Sequence, residues 1–173
     1  LHRLWKRAAV AVTSAAPGAA TGTVIDLAGG TGDLALALRK RLPEARIILA
    51  DASPGMVAVA RRRAAGQIDC QVAEGEALPF EDRSFDVVVS TFGVMFTADQ
   101  ERSAHELVRV CKRGGKIGLA NWTPEGFVGQ LFKTIGKHMP PAPGTKSPAL
   151  WGTRARIAEL FEPHAMSIKS VQR

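Results

Sequence analysis

Apolar residues in this chain come in short blocks of two kinds that alternate. Val24-Ile25 with Leu27, Ile47-Ile48-Leu49-Ala50 and Val87-Val88-Val89 are nearly unbroken runs, the pattern of parallel strands covered on both faces. Between them, apolar positions recur at helical spacing. The pattern predicts a helix over residues 1–16, through Leu4, Ala8, Ala11 and Val12, ended by Pro17-Gly18. Strands follow over 23–27, 46–51, 69–73, 85–91 and 116–122. Helices lie over 33–42, from Ser53-Pro54 to about 65, over 99–112 with a stop at Gly114-Gly115, over 125–138, and from Thr153 to 160. Pro140 to Pro148 holds four prolines and a glycine and reads as a loop, and Met166 to Val171 begins a last strand. Strands alternating with helices, joined by right-handed crossovers, give an α/β fold: a Rossmann-like, doubly wound, mostly parallel sheet with helices on both faces. The C-terminal strands look incomplete.

One stretch organises the rest. Val24 to Leu27, the glycines Gly29, Gly30 and Gly32, and Asp33 read as strand, tight turn and helix start. Such a turn presents bare backbone at the carboxyl end of a strand, where open α/β sheets bind ligands. Gly30-Thr31-Gly32-Asp33-Leu34-Ala35 fits G-x-G-x-x-A, and Asp51 follows Gly32 by 19 residues, so a nicotinamide oxidoreductase is a rival reading. Against it, Asp26 lies inside the strand before the turn. That carboxylate repels a diphosphate and attracts a cationic sulfonium bearing an amino group.

Composition narrows the class. The 173 residues suit one domain, and 46% hydrophobic residues support a globular core. We divide it into a 1–20 N-terminal helix, a 21–122 cofactor-binding core and a 123–173 substrate-side and C-terminal segment. No apolar run approaches the roughly 20 residues of a membrane span, and no signal-peptide pattern is visible, so neither stable membrane insertion nor export is expected, and the cytoplasm is. The net charge of +7 is spread over basic clusters near predicted helix ends without interleaved aromatics, which favours solvated faces over a nucleic-acid site. Cys70 and Cys111 are far apart, and the four histidines form no close pair, so no metal site is expected.

Asp51, at the tip of the second strand, reads either as an acceptor for ribose hydroxyls or as a turn acid at the entry to the Ser53 helix. Glu74-Gly75-Glu76 after the third strand is a charged loop with an acid in reach of an adenine amino group. Thr91-Phe92-Gly93 ends the strand predicted beside the first, while Phe92, Met95 and Phe96 read equally well as core. Met56 has two readings as well, adenine packing or plain core.

The ordered set of these pieces resembles the class I S-adenosylmethionine-dependent methyltransferases. It is carried by Asp26-Leu27-Ala28-Gly29-Gly30-Thr31-Gly32-Asp33, by Asp51, by Glu76-Ala77-Leu78-Pro79-Phe80-Glu81-Asp82-Arg83-Ser84-Phe85-Asp86, and by Arg109-Val110-Cys111-Lys112-Arg113-Gly114-Gly115-Lys116. Its front half is similar to the ubiquinone/menaquinone biosynthesis C-methyltransferases, through His2-Arg3-Leu4-Trp5-Lys6-Arg7, the paired-glycine turn and Thr91-Phe92-Gly93. Departures are Glu74, where an Asp or Asn is usual, and Val94-Met95-Phe96, where those enzymes carry Arg-Asn. The resemblance implies methyl transfer from S-adenosyl-L-methionine, leaving S-adenosyl-L-homocysteine, to a small-molecule acceptor such as a quinone-precursor-like ring. It implies cofactor contacts from Asp26, Ala28, Gly29, Gly30, Thr31, Gly32, Asp51, Ala52, Met56, Glu74, Gly75 and Thr91. A non-catalytic cofactor-binding module is a further alternative.

Overall fold

The computed structural model describes residues 20–140, 144–164 and 167–169. The helix expected over 1–16 lies outside them. Of the expected last strand, residues 167–169 are described and are not strand, and the remainder lies outside.

Five strands are present: β1 (Thr23–Leu27), β2 (Arg46–Asp51), β3 (Asp69–Val72), β4 (Phe85–Thr91) and β5 (Cys111–Ala120). They form one sheet in the order β3-β2-β1-β4-β5, with every neighbouring pair parallel. The helices are α1 (Asp33–Arg41), α2 (Pro54–Ala64), α3 (Gln100–Val110), α4 (Phe127–His138) and α5 (Arg154–Phe161), with short 3-10 turns at Val94–Phe96, Pro148–Gly152 and Glu162–His164. This is the doubly wound arrangement expected from the alternating pattern.

Side chains alternate across the sheet because successive residues of a strand face opposite sides. Val24, Ile47, Leu49, Val87 and Val89 pack under Leu34 and Leu38 of α1 and Val57, Ala60 and Ala64 of α2. On the other face Ile25, Leu27, Ile48, Phe85 and Val88 meet Leu107 and Val110 of α3, Trp151, and Leu160 and Phe161 of α5. Asp26 shares the parity of Val24 and is fully buried.

Three helices begin on capping side chains, two of them, Ser53 and Thr153, expected from the sequence. Ser53 accepts from the Met56 N–H, Asp99 from Arg102 and Thr153 from Arg156. The expected stop of α3 at Gly114-Gly115 is corrected. The helix ends at Val110, and Cys111 already pairs with Phe85 in β5. The next register pair is Val87 with Lys116, so residues 112–115 bulge opposite Asp86 alone. Lys112 pins that bulge by donating to Asp86 over 2.9 Å. A strand partner for the residue directly after α3 thus overrides a glycine stop further on, as tertiary pairing commonly overrides local signals.

Outside the sheet, α5 is tied to α3 by a buried guanidinium. Arg156 donates to Gln100 at 3.0 Å and to Glu101 at 2.7 Å, and Lys146 donates to the same Glu101 carboxylate. Those two cations, Lys146 first, hold the Glu101 carboxyl down to about 2.

Candidate functional site

Where β1 and β4 lie side by side, their crossovers leave in opposite directions, and a crevice opens beyond the carboxyl ends of the strands. The crevice here is a cleft of about 430 Å³. Leu27, Ala28, Asp51 and Ala52 form one rim; Ala73, Glu74, Gly75 and Glu76 form a second. The segment after β4 supplies a third, with Gly93, Val94, Phe96, Thr97 and Ala98.

The first rim is the glycine turn. Its backbone enters the left-handed region at Ala28 (φ 52°), Gly30 (φ 55°) and Gly32 (φ 88°). A Cβ on Gly29 would stand 2.8 Å from Asp26 Oδ2, and one on Gly93 would stand 2.5 Å from both Ala28 Cβ and Ala28 O. The segment after β4 therefore meets the turn backbone to backbone at Gly93 and Ala28, and the missing side chain of Gly29 leaves room for the Asp26 carboxyl beneath the turn. Asp51 ties the turn to β2: Oδ2 accepts from the Gly30 N–H at 2.8 Å and Oδ1 from the Ser53 N–H at 2.9 Å. Each carboxylate oxygen retains a lone pair for a further donor. From outside, Arg63 of α2 donates to Thr31 O at 2.7 Å, to Thr31 Oγ1 at 3.0 Å and to Asp33 at 2.6 Å.

Asp26 lies beneath the turn. Its Oδ2 accepts from the Ala35 N–H of α1 at 3.0 Å, and Oδ1, equally buried, has no hydrogen-bond partner. Burial pushes its carboxyl up to about 7; the Ala35 N–H opposes this, and the Asp51 and Asp33 charges add to it.

The second rim is held by α3. Glu106 accepts from the Leu78 N–H at 2.7 Å and from Arg109, whose guanidinium keeps the carboxyl below the usual range. The third rim is aromatic. Phe92, with φ 56°, stacks on Trp122 at 4.1 Å between ring centres, and Phe96, 55% exposed, stands edge-on to Phe132 of α4 at 5.8 Å.

Of the residues expected at the site, Ala28, Asp51, Ala52, Glu74 and Gly75 line the cleft together. Gly29, Gly30, Thr31 and Gly32 form the turn behind its rim, Asp26 supports that turn from below, and Thr91 sits half-buried at the end of β4. Met56 is exposed in the first turn of α2 and is not among the lining residues. Met95 is core. Thr97 and Ala98 went unnoticed in the sequence. The Thr97 methyl would lie 3.1 Å from a Cβ on Gly75, a contact between two loops that carries no local signal.

The donor set suits a cationic nucleoside. Asp26 leaves a buried acidic oxygen unpartnered, Asp51 offers a second carboxylate, and the floor between them is bare backbone. Among the described residues no cluster of His, Cys, Asp and Glu has the shape to hold a metal ion.

Comparison with known proteins agrees with this geometry. Residues 1–127 match the model of the ubiE/COQ5 methyltransferase family. The chain is 39% identical over 151 residues to the uncharacterized protein Rv1403c of Mycobacterium tuberculosis, covering 85% of this chain and 54% of that one. It is 40% identical over 150 residues to the ubiquinone/menaquinone biosynthesis C-methyltransferase UbiE of Xanthomonas campestris, covering 79% and 58%. The chain thus spans about half the length of the curated relatives it matches. A crystal structure of a SAM-dependent methyltransferase from Thermotoga maritima, a possible histamine N-methyltransferase, superposes with a TM-score of 0.68 at 21% identity. It covers 94% of this chain and 71% of that one, a likeness of fold. The family match favours a methyltransferase over a nicotinamide oxidoreductase.

Proposed function

We propose, from the fact that the chain belongs to the ubiE/COQ5 methyltransferase family, that it moves a methyl group from S-adenosyl-L-methionine to a small apolar acceptor carrying a ring. The observation that carries this reading is the cleft floor, where Gly93 lies against the backbone of Ala28, with the Asp26 carboxyl beneath the turn and Asp51 on the rim. Bound there, the donor supplies an electrophilic methyl on a positively charged sulfur, so the protein's share of the work is alignment and exclusion of water.

Each rim has a part. The turn from Ala28 to Gly32 receives the amino-acid end of the donor against backbone, with the buried Asp26 carboxyl beneath it. Asp51 accepts from the ribose hydroxyls with the lone pairs left after its bonds to Gly30 and Ser53. Glu74 and Gly75 face the adenine, with Ala52 beside them. Phe96 and Phe132, with the exposed apolar residues Leu131 and Ile135 on α4, form an apolar approach to the open side. Such a surface fits a quinone-precursor-like ring better than a charged acceptor. Among the described residues no helix is long and apolar enough to cross a membrane, and we place the reaction in the cytoplasm on a diffusible acceptor rather than on nucleic acid.

Calorimetric titration with S-adenosylhomocysteine tests the donor site. The wild-type protein is expected to bind, and Asp51→Ala to bind at least tenfold more weakly, about 1.4 kcal/mol. Equal affinities in the two proteins would remove the ribose assignment, and NADH binding without any response to S-adenosylhomocysteine would replace the reading altogether.

A further inference from the structure

Helix α3 carries no residue of the cleft, yet one of its faces is occupied by the loop that does. Asp99, Arg102, Glu106 and Arg109 recur at helical spacing along that face. Opposite them runs the chain from Glu76 to Asp82. Arg102 Nε donates to Glu76 O at 2.8 Å. Arg109 Nη2 donates to Leu78 O at 3.0 Å, and Nη1 to Phe80 O at 2.8 Å. Two arginines on one helix face thus bind the carbonyls of Glu76, Leu78 and Phe80.

The remaining polar groups close the arrangement. Arg109 also donates to Glu106 through Nε at 2.6 Å and Nη2 at 2.8 Å, and through Nη1 to Asp82 at 2.9 Å. All five of its N–H donors are thereby used. Glu106 returns a bond by accepting from the Leu78 N–H. At the helix start the direction reverses, and the Glu76 carboxylate accepts from the Asp99 N–H at 2.8 Å. The loop also makes a bond of its own, Ala77 N–H to Glu74 O at 3.1 Å. A displacement of residues 76–78 therefore moves Glu74 and Gly75 at the cleft.

We propose that α3 is the positioning element for the nucleoside side of the cleft: Arg102, Glu106 and Arg109 fix the backbone of residues 76–82 and so set Glu74 and Gly75 against the adenosine of the bound donor. This rests on the donor reading given above. The side-chain type matters. A guanidinium spans two carbonyls and a carboxylate at once, whereas an ammonium is a single point of charge. None of the three residues lines the cleft, so they act through the loop.

Arg102 is the informative position because it is exposed and its removal leaves the helix core intact. Affinities of the whole protein for S-adenosylhomocysteine and for 5′-methylthioadenosine, which lacks the amino-acid end, are measured by calorimetry for wild type, Arg102→Met and Arg102→Lys. Thermal unfolding serves as the control. Arg102→Met is expected to lose about five- to tenfold for both ligands, the net value of one ordinary hydrogen bond. The ratio of the two affinities stays constant, the melting temperature stays within a few degrees, and Arg102→Lys recovers most of the loss. Arg109→Lys is expected to lose more than Arg102→Met, again equally for both ligands. Wild-type affinities in Arg102→Met overturn the proposal. So does a larger loss for S-adenosylhomocysteine than for 5′-methylthioadenosine, because that pattern means the whole cleft has loosened. If the wild-type protein binds neither ligand, the donor reading falls and takes this proposal with it; if it binds both and the variants match it, this proposal alone falls.

Discussion

The cleft's glycine rim and its acidic rim present backbone to the same space by opposite means. In the first, the organising contacts are short in sequence. Asp26 reaches Ala35 and Asp51 reaches Ser53, while the bonds from Gly29 to Ala50 and from Gly30 to Asp51 join the tips of adjacent strands across a single crossover. In the second, residues 76–82 of the loop after β3 are held mainly by α3, with Glu106 reaching Leu78 and Arg109 reaching Phe80 across 28 and 29 residues. A turn built from its own glycines and strand tips forms when the two strands pair. A loop held from outside acquires its shape only when a helix from the other half of the sheet has docked. The first rim is thus part of the sheet's stability, and the second depends on α3.

The sharpest way to separate the two is by pH. Asp26 has a higher carboxyl pKa in the folded protein, about 7, than the ordinary 3.8 of an unfolded chain. Between those values the folded state retains a proton that the unfolded state has lost, so stability falls as pH rises from about 4 to 7 and is level above. Full ionisation across that window costs on the order of 4 kcal/mol. In Asp26→Asn the amide oxygen can still accept from Ala35, and no charge is buried. Chemical denaturation is therefore expected to show the variant more stable than wild type at pH 8, by a margin that shrinks to nothing near pH 4, while donor affinity falls. A wild-type stability that rises with pH over this window would show that the glycine rim does not rest on a buried neutral acid.

The acidic rim is broken by Glu106→Ala. The substitution strips Arg109 of two bonds and leaves the Leu78 N–H without its acceptor in a buried place. Losing one partner of a largely buried pair costs about 3 kcal/mol. Hydrogen exchange should then rise at residues 76–82 with little change at 29–32; equal exchange in both rims would erase the distinction between them. Gly93→Ala strikes the join between the glycine turn and the third rim. The new methyl meets Ala28 Cβ and O at 2.5 Å, and backbone must move. Overpacking of this kind costs about 2 kcal/mol, and donor binding is expected to drop with it, which a melting curve and a titration would read together.

The same contrast explains what could be read in the sequence. β1, β2 and β4 lie where the apolar runs placed them, and Ser53 and Thr153 cap the helices they were expected to cap. These are local signals: period, cap and glycine. Asp51 stood out because turn and strand tip are a fixed number of residues apart in a βαβ unit. The acidic rim had no such ruler. Glu76 looked like one charge in a charged loop and Arg109 like one of several basic residues near a helix end, because the bonds that give them meaning join segments about thirty residues apart. The early end of α3 escaped for the same reason, since Cys111 is taken by Phe85 on another strand.

The smallest effect is expected at Arg63, and it tests whether the glycine rim is as self-sufficient as its short contacts suggest. Arg63 reaches across from α2 to the Thr31 carbonyl and hydroxyl and to Asp33, a side-chain brace on the turn from a helix. Its ion pair with Asp33 is solvent-exposed, with side chains 40% and 43% accessible, so screening leaves it worth well under 1 kcal/mol. Arg63→Met is therefore expected to lower the melting temperature by no more than about 2 °C and donor affinity by less than threefold. Raising salt should shrink the difference further, because what remains is an exposed charge interaction. A tenfold loss of affinity, insensitive to salt, would mean that Thr31 is held in place by Arg63 as firmly as Leu78 is by Glu106. Both rims would then be loops braced by a helix, differing only in how many residues separate the brace from what it holds.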